Sequence, residues 1–195
     1  MELSLELSNL TDDEVARLVG AHGAVEQLEL RCVRGVRGTV LGSRVVARLR
    51  SLTIHPYCDW FRAGTPIRLD RNAAFLGKGS RLTRLTLSGV VLTDKLARSI
   101  ARIRTLRAVD VTMVDGLERM ASALRAHRGV ERFSSERSKL SDATCAALAQ
   151  SPSLRELTLS LGSASKTCVK RLGSLKTLQT LQLLEYRLTN AVCRE

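Results

Sequence analysis

The sequence predicts an α/β solenoid, a parallel sheet backed by short helices and built from stacked, similar units. Three observations carry this. The apolar pattern LxxLxL recurs along the whole chain at a nearly constant interval. Several copies are followed by a hydroxyl-acid pair directly before an apolar stretch of helical spacing. Apolar residues make up 44% of the 195 residues but aromatics only 3%, so the interior is made of Leu, Val, Ile and Ala in many small layers.

The strands come first in that argument. The pattern reads Val25-Leu28-Leu30, Leu49-Leu52-Ile54, Leu82-Leu85-Leu87, Leu106-Val109-Val111, Val130-Phe133-Ser135, Leu154-Leu157-Leu159 and Leu178-Leu181-Leu183. Its first positions are separated by 24, 33, 24, 24, 24 and 24 residues. A partial copy, Leu3 and Leu5, precedes them, which makes about eight strands in a single array over residues 1–195. Such a unit cannot bury its apolar edge alone, whereas stacking makes a continuous core.

The helices follow. Ten residues after the first position stand Leu10-Thr11-Asp12, Leu92-Thr93-Asp94, Leu140-Ser141-Asp142 and Leu188-Thr189-Asn190. Thr, Ser or Asp before an apolar-periodic run is an N-cap signal. Leu96, Ile100 and Ile103, then Met120 and Leu124, keep helical spacing, so each unit reads strand, turn, short helix.

The motif LxxLxLxxxxLTD from Leu82 to Asp94 resembles the leucine-rich-repeat family in its intracellular strand-plus-helix form with a 24-residue repeat. The resemblance covers essentially the whole chain. It implies a right-handed horseshoe with the parallel sheet on the concave side and short helices on the convex side, and it implies binding of a macromolecule without naming one. The chain departs from the family pattern in three places. The Asn expected after each strand is missing from most units, where Val91, Asp115 or Lys139 stands nearby; Ser135 replaces an apolar strand residue; and one unit is nine residues too long, an insertion spanning 55–81.

Strand side chains alternate, so the residues between the leucines face the concave side. Candidate partner-binding residues there are Arg84, Thr86, Ser88, Asp110, Thr112, Arg132, Ser134, Glu156 and Thr158. The ionised groups of that face are Arg31, Arg84 and Arg132 against Glu29, Asp110, Glu136 and Glu156, a net −1, so the formal charge of +12 must lie elsewhere. Residues 1–30 carry −6, residues 31–109 carry +14 and residues 110–195 carry +4. Candidates for nucleic-acid contact are Arg34, Arg37, Arg44, Arg48, Arg98 and Arg102. A stripe of this kind tracks phosphates or acidic protein tails, or is simply a solvated surface.

The insertion holds Tyr57, Trp60, Phe61 and Phe75, four of the six aromatics. Tyr57, Trp60, Phe61, Arg62 and Arg68 are candidate partner contacts, since such residues are enriched at hot spots. The competing reading is a loop that tucks its rings onto the array.

Five scattered cysteines without a CxxC predict free thiols in a reducing, intracellular compartment, with Cys145, Cys168 and Cys193 stacked in the core. His22, His55 and His127 have no partner at metal-ligand spacing, so neither metal nor cofactor is expected. The string LGKGS at Leu76–Ser80 fails as a phosphate loop, because Asn72 stands where glycine is required. No run of residues is long and apolar enough for a membrane span. The expectation is a non-enzymatic protein-binding scaffold within a larger assembly, with an RNA-associated protein as the alternative. The chain stops soon after Leu188-Thr189-Asn190, so the edge strand at 178–183 is expected to be covered by another chain, a symmetry mate or a continuation.

Overall fold

A computed structural model describes residues 1–6, 10–31, 46–55, 67–69, 80–160 and 165–184. The described elements run β1 (Glu2–Glu6), α1 (Asp12–Ala21), β2 (Gln27–Arg31), a 3-10 turn (Val46–Arg48), β3 (Ser51–His55), β4 (Arg84–Ser88), α2 (Asp94–Ala101), β5 (Ala108–Thr112), α3 (Leu117–Arg125), β6 (Arg132–Glu136), α4 (Asp142–Leu148), β7 (Glu156–Ser160), α5 (Lys166–Gly173) and β8 (Thr180–Leu184). The eight strands form one parallel sheet in strict sequence order.

The register reproduces the repeat. Leu28 pairs with Leu52, Leu52 with Leu85, Leu85 with Val109, Val109 with Phe133, Phe133 with Leu157 and Leu157 with Leu181. The partial first copy also holds, with Leu3 on Leu28 and Leu5 on Leu30. The nine extra residues between β3 and β4 leave this register intact, because a parallel crossover of any sufficient length returns the chain to the same edge.

Leu85 and Leu87 share one apolar cluster with Leu92, Leu96, Ile100, Ile103 and Leu106, so the helices pack behind one face of the sheet. A fully buried Leu contributes about 1.5–3 kcal/mol, and each unit repeats several. Ile103, read from its spacing as helical, falls just past the end of α2 but is still buried. Ser135 is buried where its neighbours along the sheet are Val111 and Leu159.

The caps explain where helices begin. Thr11 and Glu14 form a reciprocal capping box on α1, while Thr93, Ser141 and Ser165 each accept from the amide three residues on. The helix α3 starts instead at Gly116, whose φ of +82° suits glycine, and a Cβ there would lie 2.5 Å from the Leu92 carbonyl oxygen. In place of an asparagine ladder, short hydroxyl side chains join the turns. Thr105 donates to the carbonyls of Ser80 and Leu82, Ser153 to those of His127 and Val130, and Ser138 accepts from the Val114 amide.

One expectation is corrected here. Cys145 on α4 and Cys168 on α5 are joined in a disulfide, not left as free thiols. Stacking is the reason: residues 23 apart in a 24-residue repeat come to lie side by side, with their Cα atoms 5.2 Å apart. Scattered sequence spacing therefore does not establish a reducing compartment for this chain. Cys32, Cys58 and Cys193 lie outside the described residues.

Candidate interaction surfaces

The strand residues that do not enter the core form the opposite, outer face of the sheet. Its middle column, Glu29, Thr53, Thr86, Asp110, Ser134 and Thr158, is half-buried between neighbouring strands. Ala108 on the next column is buried, flanked in register by Arg84 and Arg132. These two arginines also bracket Asp110. Burial pushes the Asp110 carboxyl up from its usual range, while Arg84, Arg132 and a hydrogen bond with Thr86 oppose that rise.

Two further pairs of charges on this face meet locally, while Glu136 has no ion pair among the described residues. Arg31 Nε stands 2.7 Å from Glu29, and Arg132 Nε stands 3.1 Å from Glu156. Thr158 donates to the Gln182 side chain at 3.2 Å. His55 is held below its ordinary pKa by burial and by nearby Arg31, with Glu29 pulling the other way. The outer face is thus a polar strip whose charges are close to balanced. Adjacent strands lie about 4.8 Å apart, so eight of them extend roughly 34 Å.

Of the nine candidate residues on this face, Arg84, Arg132 and Glu156 are exposed, and Thr86, Asp110, Thr112, Ser134 and Thr158 are partly so. Ser88 is a correction: at 4% exposure it is closed to a partner. The cause is local, because Ile67 pairs with Val90 and bonds to Gly89 and Val91, bringing residues 67–69 alongside the end of β4.

That segment, with residues 80 and 81, is what the structure describes of the insertion's later part. Leu69 is fully buried and Arg68 is exposed; Tyr57, Trp60, Phe61 and Arg62 lie outside the described residues. Among the basic candidates, Arg48, Arg98 and Arg102 are exposed, the last two on the helix side, and Arg34, Arg37 and Arg44 lie outside the described residues.

His127 is structural. Its Nδ1 accepts from the amides of Gly129 and Val130, so the ring proton sits on Nε2, which donates to the Ile103 carbonyl at 2.9 Å. Among the described residues no group of three or more His, Cys, Asp and Glu could hold a metal ion, and no helix is long and apolar enough to cross a membrane. Sequence reasoning missed the disulfide and the contribution of Arg119 and Arg128 to the helix side. The repeat interval could have found Arg128, which stands 24 residues after Arg104. No protein-family model matches this chain, and no curated protein matches it.

Proposed function

We propose that this chain is a non-catalytic scaffold of the leucine-rich-repeat type, a horseshoe whose concave sheet holds a protein partner as part of a larger assembly. One observation carries the reading: the outer face of the sheet runs across eight strands with Arg31 and Arg132 each paired to a neighbouring glutamate and little net charge. A surface so neutralised offers shape, hydroxyl groups and backbone regularity rather than a field, which suits a protein surface better than a phosphate backbone. Leu181 on β8 is 38% exposed where its register partner Leu157 is fully buried, and cover by another chain at that edge belongs to the same proposal. Residues 185–195, including Leu188-Thr189-Asn190, lie outside the described residues.

The test is a photo-crosslinking amino acid placed singly at Ser134, at Thr158 and, as the helix-side control, at Arg17. The proposal expects one protein adduct from Ser134 and Thr158 and none from Arg17. Adducts that disappear on ribonuclease treatment would replace it with the RNA-associated alternative, which rests on the +14 carried by residues 31–109. Phosphate contacts would also make affinity fall steeply with salt. A location inside the cell is part of the proposal, and the free-thiol content of the native protein at Cys145 and Cys168 tests it.

A further inference from the structure

The helix side carries a groove that the sheet-face reading does not use. It lies between α2 and α3, which pack against each other less extensively than α3 and α4 do. Ala97, Ala101, Ala123 and Ala126 line it and keep it open. A hollow of about 670 Å³ runs beside the two helices, and a second of about 440 Å³ adjoins it at their C-terminal ends, sharing Ala101 and Ala126.

Charge divides along this groove. At the helix N-terminal end the acids are spoken for: Arg119 stands 3.2 Å from Asp94 and 4.0 Å from Glu118. At the other end the balance fails. Arg107 is engaged by the Gly129 and Leu106 carbonyls and lies 3.9 Å from Glu131. Arg102, Arg104 and Arg128 have no side-chain partner among the described residues. Arg104 and Arg128 also occupy equivalent places in consecutive units, each three residues past a helix end, so like charges are stacked at the mouth of the groove. Cations near a helix C-terminus stabilise its dipole, but that effect fades within the last turn, and these two side chains bond to no carbonyl among the described residues.

We propose that the groove between α2 and α3 receives an acidic helical segment of a protein partner, seated on its alanine floor with carboxylates facing Arg102, Arg104 and Arg128. A floor of alanines lets a helix approach to the interaxial distance of roughly 8–10 Å that close packing requires. The two walls are about 12 Å long, so the contact spans two to three turns of a partner helix. Among the described residues neither hollow is lined by Phe, Tyr or Trp, and the His127 ring at the second is buried with both nitrogens engaged, which leaves bases little to stack on and disfavours single-stranded nucleic acid. The inference goes beyond the sheet-face proposal, and either can fail while the other stands.

The test uses the full chain and a labelled helical peptide of Ala and Glu, with alanines along one face and glutamates flanking one end. Two controls accompany it: the same residues in permuted order, and a single-stranded RNA of equal charge. Binding is followed by fluorescence anisotropy, and folding of every variant by circular dichroism. The patterned peptide is expected to bind, and reversing Arg102→Glu, Arg104→Glu and Arg128→Glu together should weaken it about tenfold or more. Filling the groove with Ala101→Phe, which changes no charge, should weaken it to a similar degree, whereas Arg84→Glu on the sheet face should leave it unchanged. Absence of peptide binding, equal binding of the permuted peptide, or tighter binding of the RNA that the triple reversal abolishes would each overturn the proposal.

Discussion

The outer face of the sheet and the groove between α2 and α3 use arginine in opposite ways. On the sheet, Arg31 meets Glu29, Arg132 meets Glu156, and Arg84 faces Asp110. In the groove, Arg102, Arg104 and Arg128 meet no acid among the described residues. The difference comes from geometry. Strand register fixes neighbours at about 5 Å, so like charges in adjacent units cost energy directly and opposite charges are favoured. The turns after the helices also set Arg104 and Arg128 at equivalent places, but both side chains are exposed, so water and salt screen the like pair. Under the two proposals such an array has two kinds of recognition surface, and Arg102, Arg104 and Arg128 put part of the chain's excess charge at the second.

The largest effect that sharpens this comparison is one that should damage both faces together. Phe133, the largest fully buried side chain among the described residues, fills a central layer beneath Asp110 and Ser134. Phe133→Ala should cost about 3–5 kcal/mol in denaturant unfolding and weaken any ligand of either face. Loss at one face alone would mean that the two do not share a core.

Next comes the disulfide, which lies on the far side of α3 from the groove. It closes a loop of 23 residues, and Cys145→Ala with Cys168→Ala should lower stability by about 2–4 kcal/mol. Peptide binding between α2 and α3 should survive at temperatures where the variant remains folded. Equal thermal stability of reduced and oxidised protein would show that the bond contributes nothing.

A smaller, local change should separate the faces. Thr93 caps α2 by accepting from the Leu96 amide at 3.2 Å, so Thr93→Ala should cost about 1 kcal/mol and loosen one wall of the groove. Hydrogen exchange should rise in residues 94–101 and stay unchanged in 132–136. The reverse pattern would contradict the division between the faces.

The smallest effect concerns Asp110. Its raised pKa means that the fold favours the neutral carboxyl, so its relative stabilisation is full below the ordinary value of 3.8 and is lost as pH rises through the higher folded value. Asp110→Asn should remove that slope, and stability measured across this acid range checks it. Wild type and variant with identical pH profiles would show that Arg84 and Arg132 fully offset the burial.

Most of the fold was legible because the repeat is one-dimensional: the spacing of the leucines sets strand, layer and register at once, and Thr11, Thr93 and Ser141 mark helix starts. The site was less so. Ser88 sits in a column of outward residues, and its burial depends on residues 67–69 folding back beside Val90, which no local pattern encodes. The disulfide needed α4 and α5 stacked before Cys145 could meet Cys168. The groove depends on how closely neighbouring helices pack, a matter of side-chain volumes across a seam rather than of spacing along the chain.

The most direct measurement is an amide chemical-shift map of the full chain titrated with the patterned acidic peptide. The account predicts perturbations in 97–107 and 119–129, with the outward positions of β4 to β7 unmoved. Shifts concentrated at Thr86, Asp110, Ser134 and Thr158 would contradict it, because the neutral face would then be the one that recognises charge.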